Sequence, residues 1–413
     1  MEHFDVVIIG AGPAGSCAGA MLVQAGKKVL CLEKQHFPRF SIGESLLPHC
    51  MEFLTMAGLE PALQQQAAQL SFQFKNGAAF AKNGHHTHFD FTDKFSPGPG
   101  TTFQVKRASF DKLLADTAQQ QGLEIRYGVG VMAFDNSADD KAVLTVQDEQ
   151  GQQCQISAAF VLDASGFGRV LPRLLDLEVP SAFPVRQACF CHIRDGITDV
   201  DFDRNKILIT VHDTQPDIWF WLIPFSDGSC SLGVVGKSEQ FDASLSAEQN
   251  LWRHVNQTKS LQTLLANATA LNQAQSLTGY SANVKQLAGK QYALLGNAGE
   301  FLDPVFSSGV TIALRSAATA VPLVLRQLAN EQPDWQQEYS VPLRKGITTF
   351  RHFVEAWYDG RFQDIIFSNS RNSSITAMIS AILAGYAWDE KNPYVAETLR
   401  RINVLREVCL DSV

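Results

Sequence analysis

The chain has 413 residues, a formal net charge of −8 and 45% hydrophobic residues, which is the composition of a globular rather than a disordered protein. Its length is enough for two domains, or for one large domain with an insertion. The acidic balance and the lack of Lys/Arg runs argue against a general binder of nucleic acid or anionic membranes.

The N-terminus and the cysteines bear on location and metal binding. MEHFDVVIIG enters a strand almost at once, without the basic start and long apolar core of a signal peptide. No apolar stretch is expected to reach membrane-spanning length, so a cytoplasmic protein is expected. The eight cysteines form no CxxC pair. Cys189 to His192 and the histidines at 85, 86 and 88 are more simply explained as strand and loop residues than as ligands, and we expect no metal.

The first motif is a strand followed by a glycine turn and a helix. The β-branched run at 4–9 predicts a buried parallel strand that leads directly into GAGPAG at 10–15. Gly10 permits the turn, Gly12 lets the backbone approach a pyrophosphate, and Gly15 lets the helix close on the strand. The predicted helix begins at Pro13 and Ala14, and its N-terminus offers free N–H groups to the phosphates.

The next predicted strand, at 29–32, ends in Glu33, where a carboxylate can accept from an adenosine ribose hydroxyl. A simple NAD domain would continue into a crossover helix. Instead a loop with Pro38 and Gly43 follows, as though it lined a second part of an extended ligand. The candidate contacts in this region are Lys34, Arg39 and Ser45.

Two later strands end in similar polar turns. VLDASG at 161–166 contains Asp163 and Gly166, and ALLGNA at 293–298 contains Asn297. Beyond the second turn the chain continues through Asp303 and Pro304, then Ser308 and Gly309, and an apolar helix is predicted from Val310.

Together these segments resemble the FAD-binding elements of the flavoprotein monooxygenases and flavin-dependent halogenases, over nearly the whole chain to about residue 330. GESLLP at 43–48 and WFWLIP at 219–224 resemble the halogenase branch, tryptophan-halogenase-like proteins included. The resemblance implies FAD as cofactor. It implies that Arg107, with Gln104 as a second candidate, reaches the phosphate or ribityl side, and that Val131 contacts adenine. It also implies that the helix N-terminus near Ser308 and Gly309 points at the ribityl chain and isoalloxazine.

Two positions depart from the family pattern. The late turn of the family carries Asp where this chain has Asn297, which keeps a hydrogen bond to a ribityl hydroxyl but loses the charge. Tryptophan halogenases carry a glutamate where this chain has Phe306, so activity on free tryptophan is not expected. The amides of Ser308 and Gly309 could bind a halide, or only the flavin.

Trp219, Trp221 and Lys75 are the candidate catalytic residues. Alternation along a strand puts both indoles on one face. The resemblance implies that they form a rigid, water-poor wall that keeps the substrate from the flavin oxidant; the alternative is that both are core residues. Lys75, in the sequence FKNG, resembles the catalytic lysine that polarises hypohalous acid or holds a haloamine. Its alternative is a solvated lysine beside a turn.

The predicted fold class is α/β, with a Rossmann-like FAD-binding domain, an inserted β-sheet substrate domain and a C-terminal helical region. The predicted limits are 1–70, 105–185 and 276–330 for the first, 71–104 and 186–275 for the second, and 331–413 for the third.

Three reactions compete for this fold, besides a protein that only carries FAD. They are halogenation of an electron-rich aromatic through hypohalous acid, hydroxylation of an aromatic without halide, and dehydrogenation or reduction of the geranylgeranyl-reductase type. The aromatic substrate is either free or presented on a carrier protein or peptide. The chain has no second GxGxxG for a nicotinamide cofactor. This is compatible with reduction by a separate flavin reductase and does not exclude NAD(P)H, which single-component hydroxylases of this superfamily bind without such a motif.

Overall fold

The computed structural model of the protein describes residues 1–181, 183–368 and 372–410. The strands are β1 (Glu2–Ile9), β2 (Val29–Glu33), β3 (Gln73–Lys75), β4 (Gly77–Lys82), β5 (His85–Asp90), β6 (Thr102–Gln104), β7 (Glu124–Tyr127), β8 (Gly130–Asp135), β9 (Ala142–Gln147), β10 (Gln153–Asp163), β11 (Glu178–Val179), β12 (Arg186–Arg194), β13 (Lys206–Val211), β14 (Trp219–Pro224), β15 (Ser229–Lys237), β16 (Thr269–Ala270), β17 (Gln275–Thr278), β18 (Asn283–Val284), β19 (Ala288–Gly289) and β20 (Tyr292–Leu294).

The helices are α1 (Pro13–Gln24), α2 (His49–Met56), α3 (Glu60–Gln66), α4 (Arg107–Gln120), α5 (Val170–Leu174), α6 (Ala247–Asn256), α7 (Lys259–Leu264), α8 (Ser308–Leu328), α9 (Val341–Tyr358), α10 (Arg361–Ile366), α11 (Ser373–Leu383), α12 (Pro393–Ala396) and α13 (Thr398–Leu410). A single π-helical turn, Gln336–Ser340, leads into α9.

The first sheet carries the glycine turn. Its strand order is β19-β20-β10-β1-β2-β7, with β8 and β9 attached to β10, and β1 is parallel to both β10 and β2. Residues Val6 to Ile9 are all buried, as expected of a central parallel strand that is covered on both faces. Because α1 follows β1 and packs against α4 and α8, the Rossmann-like arrangement predicted from the sequence is confirmed.

The second sheet lies over the first domain and runs in the order β16-β12-β15-β14-β13-β4-β5, with β17 paired to β12. One face, which includes Phe220 and Leu222, packs with residues of α6 and α7 in a core of its own. The other face presents Trp219 and Trp221 toward the first domain. The inserted β-sheet predicted from the sequence is therefore present. The domain limits stay a prediction. Strand β17 extends across the predicted limit between residues 275 and 276.

The C-terminal region is helical, and its helices lie close to the predicted ones. The apolar spacing at 348–358, 362–367 and 375–384 falls within or beside α9, α10 and α11. Helix α9 packs against α8 and against the turn at 304–306. The helical region is thus in contact with the FAD-binding domain near its late polar segment.

Helix α8 corrects one expectation from the sequence. Its 21 residues are long and apolar enough to cross a membrane, with a mean hydropathy of 1.5, although no stretch of that kind was expected. Most of the helix is nevertheless buried inside the protein, against α1, α2 and α9. The apolar composition of α8 is therefore accounted for by core packing.

Candidate functional site: a cofactor cavity between two sheets

A cavity of about 1270 Å³ lies between the two sheets. It extends from the glycine turn after β1 to the indoles on β14, and residues from β2, β8, β12 and the start of α8 also line it. Pockets for drug-sized ligands occupy roughly 300–1,000 Å³. The cavity is therefore large enough for an extended dinucleotide cofactor.

The glycine turn has the geometry that close approach of a pyrophosphate requires. Gly10 has a φ of +97°, and a Cβ on Gly15 would lie 1.9 Å from the Gly10 carbonyl oxygen. Gly12 faces the cavity, where a Cβ would meet only an Arg39 nitrogen at 3.5 Å. Helix α1 starts at Pro13 without a side-chain cap, so its first N–H groups are available to an anion.

Glu33 lies at the end of β2 beside this turn. Its Oε2 accepts from the Ala11 backbone N–H at 2.9 Å and its Oε1 accepts from the Gln35 N–H at 3.0 Å. The Glu33 side chain is buried and lines the cavity. The neighbouring Lys34 is exposed and also lines the cavity. Each carboxylate oxygen has a second lone pair for a ribose hydroxyl, so Glu33 fits the role that its position in the sequence predicts.

Two arginines of the cavity wall share one buried carboxylate that the sequence reasoning missed. Asp111 accepts from Arg107 at 2.8 Å and 3.0 Å and from Arg39 at 3.2 Å. Asp111 is fully buried, and both arginines line the cavity. The four-residue spacing of Arg107 and Asp111 on α4 was a readable signal for this pair. Asp111 therefore fixes two cationic groups where a phosphate or ribityl chain would lie.

The start of α8 forms another part of the wall. Ser307, immediately before the helix, is a non-glycine residue with a φ of +55°, a conformation that is uncommon and often functional. It lines the cavity with Asn297, Pro304, Gly309 and Val310. The helix has no side-chain N-cap bond, so its free N–H groups suit a polar cofactor chain. Sequence reasoning selected Ser308 here, but Ser307 is the serine that lines the cavity.

Most of the predicted cofactor residues line the cavity. These are Gly10, Gly12, Pro13, Ala14, Glu33, Lys34, Arg39, Ser45, Arg107, Val131, Gly166, Asn297, Pro304, Gly309 and Val310. Five others do not: Gly15, Gln104, Asp163, Asp303 and Ser308. The role of each of these residues toward FAD stays a prediction.

The residues away from the cavity have other structural partners. Asp163 is fully buried and accepts from the N–H groups of Ser165 and Leu171, which shapes the turn at Gly166. Gln104 donates to the Arg204 carbonyl at 3.0 Å. Asp303 accepts from the hydroxyls of Tyr358 and Tyr280.

The two indoles predicted to lie on one face both line the cavity. Trp219 and Trp221 are 1% and 4% exposed, and their ring centroids lie 6.0 Å apart. The Trp221 indole covers Gly233, where any Cβ would clash with it, and its N–H donates to Ser231 Oγ at 3.1 Å. The pair thus forms a dry aromatic wall between the cavity and the second sheet.

Lys75 is fully buried at the end of β3 and does not line the cavity. It is therefore not a solvated turn lysine. Its Nζ donates to Ser45 Oγ and to the Leu46 carbonyl, both at 2.8 Å, and lies 5.4 Å from the centre of the Phe91 ring. Within the described part of the chain, no carboxylate lies within ion-pair distance of it. Burial lowers the pKa of Lys75 from 10.5 to about 7.

Ser45 is the connection between Lys75 and the cavity. The backbone of this segment pairs with β6, since Ser45 forms an antiparallel bridge with Gln104 and the Leu46 N–H donates to the Phe103 carbonyl at 3.2 Å. Ser45 lines the cavity on one side and accepts from Lys75 on the other. Ser45 is therefore in contact with both the cavity and the Lys75 amine.

A second feature that the sequence reasoning missed joins the two domains across the cavity. Glu44, which lines the cavity, contacts His192 of β12 with an Oε1–Nε2 distance of 2.8 Å. His192 packs edge-on against Phe40 and Phe225. The sequence placed His192 on a strand next to cysteines but carried no signal for a partner 148 residues away.

The comparisons with known proteins agree with this geometry. A protein-family model described as an FAD binding domain matches residues 3–287. A flavin-dependent halogenase of Armillaria mellea, armH3, is 30% identical over 79% of this chain and 69% of the relative. The chain belongs to the FAD-binding family, in its flavin-dependent halogenase-like branch. It is an FAD-dependent oxidoreductase.

Other similarities to this halogenase-like enzyme extend over nearly the whole chain. The 1H-pyrrole-2-carbonyl-[peptidyl-carrier protein] chlorinase of Pseudomonas fluorescens is 26% identical over 97% of this chain and 93% of the relative. A solved structure described as a flavoprotein/dehydrogenase from Cytophaga hutchinsonii is 39% identical, with a TM-score of 0.94 and full coverage of both chains. The predicted fold class, the enzyme class and FAD as cofactor are thereby confirmed.

Proposed function

We propose that this enzyme halogenates an electron-rich aromatic substrate, and that the halogen reaches the substrate beside Lys75. Bound reduced FAD would supply the oxidising power from O₂. In the overall step an aromatic C–H and hypohalous acid give an aromatic C–X bond and water. The chain's own residues hold the cofactor, exclude water and place an amine where the oxidant arrives.

The observation that carries this proposal is the environment of Lys75. A buried amine with a pKa near 7 is present in both its charged and neutral forms at neutral pH. The charged form can donate to the oxygen of hypohalous acid and make the halogen more electrophilic, whereas the neutral form can accept the halogen as a haloamine. Because Ser45 lies between Lys75 and the cavity, a small oxidant has a short path to the amine.

The aromatic wall supports the same proposal. Trp219 and Trp221 close the cavity toward the second sheet, so a bulky aromatic substrate is kept from the cofactor while a small oxidant leaves in another direction. The names of two similar proteins, the pyrrole-carrier chlorinase and a corresponding brominase of Pseudoalteromonas luteoviolacea, favour an aromatic acyl group on a carrier protein as the substrate class. A halide and reduced flavin from a separate reductase, or NAD(P)H, are then the remaining requirements.

Two observations bear on other reactions. Phe306, at the position of the glutamate in tryptophan halogenases, is buried against Trp357 and Phe362. That position therefore carries no acid, which fits hydroxylation without halide as well as halogenation of a phenol or a pyrrole. The structure that matches with a TM-score of 0.94 is described as a flavoprotein/dehydrogenase, which favours dehydrogenation or reduction. Both are second candidates for this site.

One set of reactions separates the three candidates. The FAD-loaded enzyme is reduced and mixed with oxygen and an aromatic reporter, with and without bromide. The reporter is phenol or a pyrrole-2-carboxyl-carrier thioester. The masses of the products are measured by mass spectrometry. Halogenation predicts a brominated product that requires bromide. A hydroxylated product formed equally without bromide contradicts it and supports the hydroxylase.

A separate reaction tests the dehydrogenase candidate. Under argon, NADH or NADPH alone is added to the oxidised enzyme with no flavin reductase present. Rapid bleaching of the visible flavin band favours a self-sufficient hydroxylase or a dehydrogenase. If neither a brominated nor a hydroxylated product then forms in air, a dehydrogenase or reductase would replace the halogenase proposal.

A further inference from the structure

The two indoles of the aromatic wall are held in different ways. Trp221 donates to Ser231 Oγ at 3.1 Å, and Ser231 belongs to the neighbouring strand of the same sheet. Trp219 instead donates to the Tyr358 hydroxyl at 2.9 Å. Tyr358 is the last residue of α9 and lies outside the sheet, in the C-terminal helical region.

Tyr358 is itself fixed by two charged groups. Its hydroxyl donates to Asp303 Oδ2 at 2.9 Å, and the Arg186 guanidinium lies 3.3 Å from the centre of its ring. Indole N–H can only donate, so the Tyr358 oxygen must accept from Trp219, and its single proton is then directed to Asp303. The two hydrogen bonds therefore run in one direction, from Trp219 to Tyr358 and from Tyr358 to Asp303.

The anchors of this chain are buried and come from different parts of the fold. Asp303 and Arg186 are 3% and 5% exposed. Asp303 also accepts from Val305 N–H at 3.1 Å and from Tyr280 OH at 3.3 Å. Arg186 begins β12 of the second sheet, whereas Asp303 directly precedes Pro304 of the cavity wall. Three regions of the molecule thus meet at one hydroxyl.

We propose that Tyr358 is a positioning residue that holds the Trp219 indole against the cavity, so that the C-terminal helical region sets one half of the aromatic wall. Without the hydroxyl, the buried indole N–H loses its acceptor and the ring is free to leave its present orientation. Trp221 keeps its own bond to Ser231. The consequence for catalysis rests on the proposed function: a displaced Trp219 would admit water and raise the share of oxygen that leaves as hydrogen peroxide.

The test uses Tyr358→Phe, which keeps the ring under Arg186 and removes only the hydroxyl. Two indoles 6.0 Å apart give a coupled signal in the tryptophan exciton band of the circular dichroism spectrum. The spectrum of the FAD-loaded wild type minus the spectrum of FAD-loaded Trp219→Phe gives the signal that depends on the pair of indoles. Tyr358→Phe is expected to lose about half of that signal or more, because the orientation of Trp219 is no longer fixed.

Tyr339→Phe is the matched control. It removes another buried tyrosine hydroxyl from the helical region. That hydroxyl donates to the Leu294 carbonyl of β20 at 2.6 Å, and β20 belongs to the first sheet rather than to the sheet that carries the two indoles. It should lower the melting temperature and leave the exciton signal unchanged. A full exciton signal in Tyr358→Phe, or an equal loss in Tyr339→Phe, would overturn the positioning role.

The second measurement is the fraction of consumed oxygen recovered as hydrogen peroxide, with bromide and the phenol reporter present. It is expected to rise severalfold in Tyr358→Phe and not in Tyr339→Phe, and an unchanged fraction would overturn the catalytic consequence. If the wild type forms no brominated product, the proposed function fails. The exciton comparison still decides whether Tyr358 positions Trp219, so the two failures are distinguishable.

Discussion

The two ends of the cavity are built differently. The nucleotide end consists of Gly10 to Gly15, Glu33 and the start of α1, which follow one another closely in the chain and have mostly backbone partners. The reactive end brings together Lys75, Ser45, Trp219 and Tyr358 from all three predicted regions, through side chains. The first end depends on local backbone geometry, and the second depends on how distant elements pack.

The difference also concerns charge. At the nucleotide end the cations Arg39 and Arg107 are paired with Asp111. At the reactive end the partners of the buried Lys75, among the residues that the structure describes, are neutral oxygen acceptors and an aromatic ring. Arginines paired in this way stay charged and bind, whereas a lysine in an apolar site can exchange a proton. Substitutions at the nucleotide end should therefore impair cofactor binding, whereas substitutions at the reactive end should change properties that depend on proton exchange.

The largest expected effect is at the glycine turn. Gly15→Ala would place a Cβ 1.9 Å from the Gly10 carbonyl oxygen, so α1 could not close on β1 and the protein should be purified colourless or not at all. Gly26→Ala, at the other end of α1, meets nothing within 4 Å and has only the strain of a φ of +73°, about 1–2 kcal/mol. It should retain FAD, as judged by the visible absorption of the purified protein. A yellow Gly15→Ala protein would contradict this account of the turn.

The next effect concerns Lys75 and pH. Its pKa is about 7 in the folded protein and 10.5 ordinarily, so between these values the unfolded chain binds a proton that the folded protein does not. The stability contribution of Lys75 must then rise with pH across this window, by about 5 kcal/mol in all. The free energy of unfolding of Lys75→Met, relative to wild type, should fall correspondingly from about pH 7 to about pH 10 in urea titrations. A pH-independent difference would mean that Lys75 is charged in the folded protein.

A somewhat smaller effect is expected for the carboxylate shared by the arginines. Asp111→Asn should cost about 3–5 kcal/mol of stability, since it removes the counter-charge of the buried Arg107 guanidinium, whereas Arg39 keeps Glu33 at 3.7 Å. It should also weaken FAD binding. The control is Asp116→Asn on the same helix, whose pair with Lys112 is roughly half exposed and is worth at most about 1 kcal/mol. Equal losses in the two variants, measured by urea unfolding and FAD titration, would exclude a special role for Asp111.

The smallest expected effect is at Ser45. Ser45→Ala removes one hydrogen bond to the charged form of Lys75 and leaves the bond to the Leu46 carbonyl. Such a bond contributes about 1.5–3 kcal/mol, so the pKa of Lys75 should fall further, by about one to two units. The midpoint of the pH dependence of halogenation should move to lower pH, and a shift to higher pH would contradict the assignment.

The sequence predicted the nucleotide end well for a physical reason. A glycine turn, a β-branched strand and an acidic residue have fixed spacings because the backbone alone determines the geometry. The helices after residue 330 and the inserted sheet were also predictable, since they follow from apolar periodicity.

The partners at the reactive end were not predictable in this way. The contacts of Trp219 with Tyr358 and of Glu44 with His192 join residues 139 and 148 positions apart, and nothing local in either segment indicates the other. Lys75 could be selected only by resemblance. Its burial, and its bond to a serine that the sequence assigned to the cofactor, follow from the packing of β3, β6 and the segment at 44–46.

The most direct test of the central claim, that the halogen reaches the substrate beside Lys75, is a single turnover of FAD-loaded Lys75→Met. The reduced enzyme is mixed with oxygen, bromide and the phenol reporter, and both flavin reoxidation and brominated phenol are measured. The control is Lys82→Met, whose Nζ contacts Gln363 away from the cavity. We predict an unchanged rate of flavin reoxidation with at least about a 100-fold loss of brominated phenol in Lys75→Met only. Wild-type yields of brominated phenol from Lys75→Met would contradict the claim.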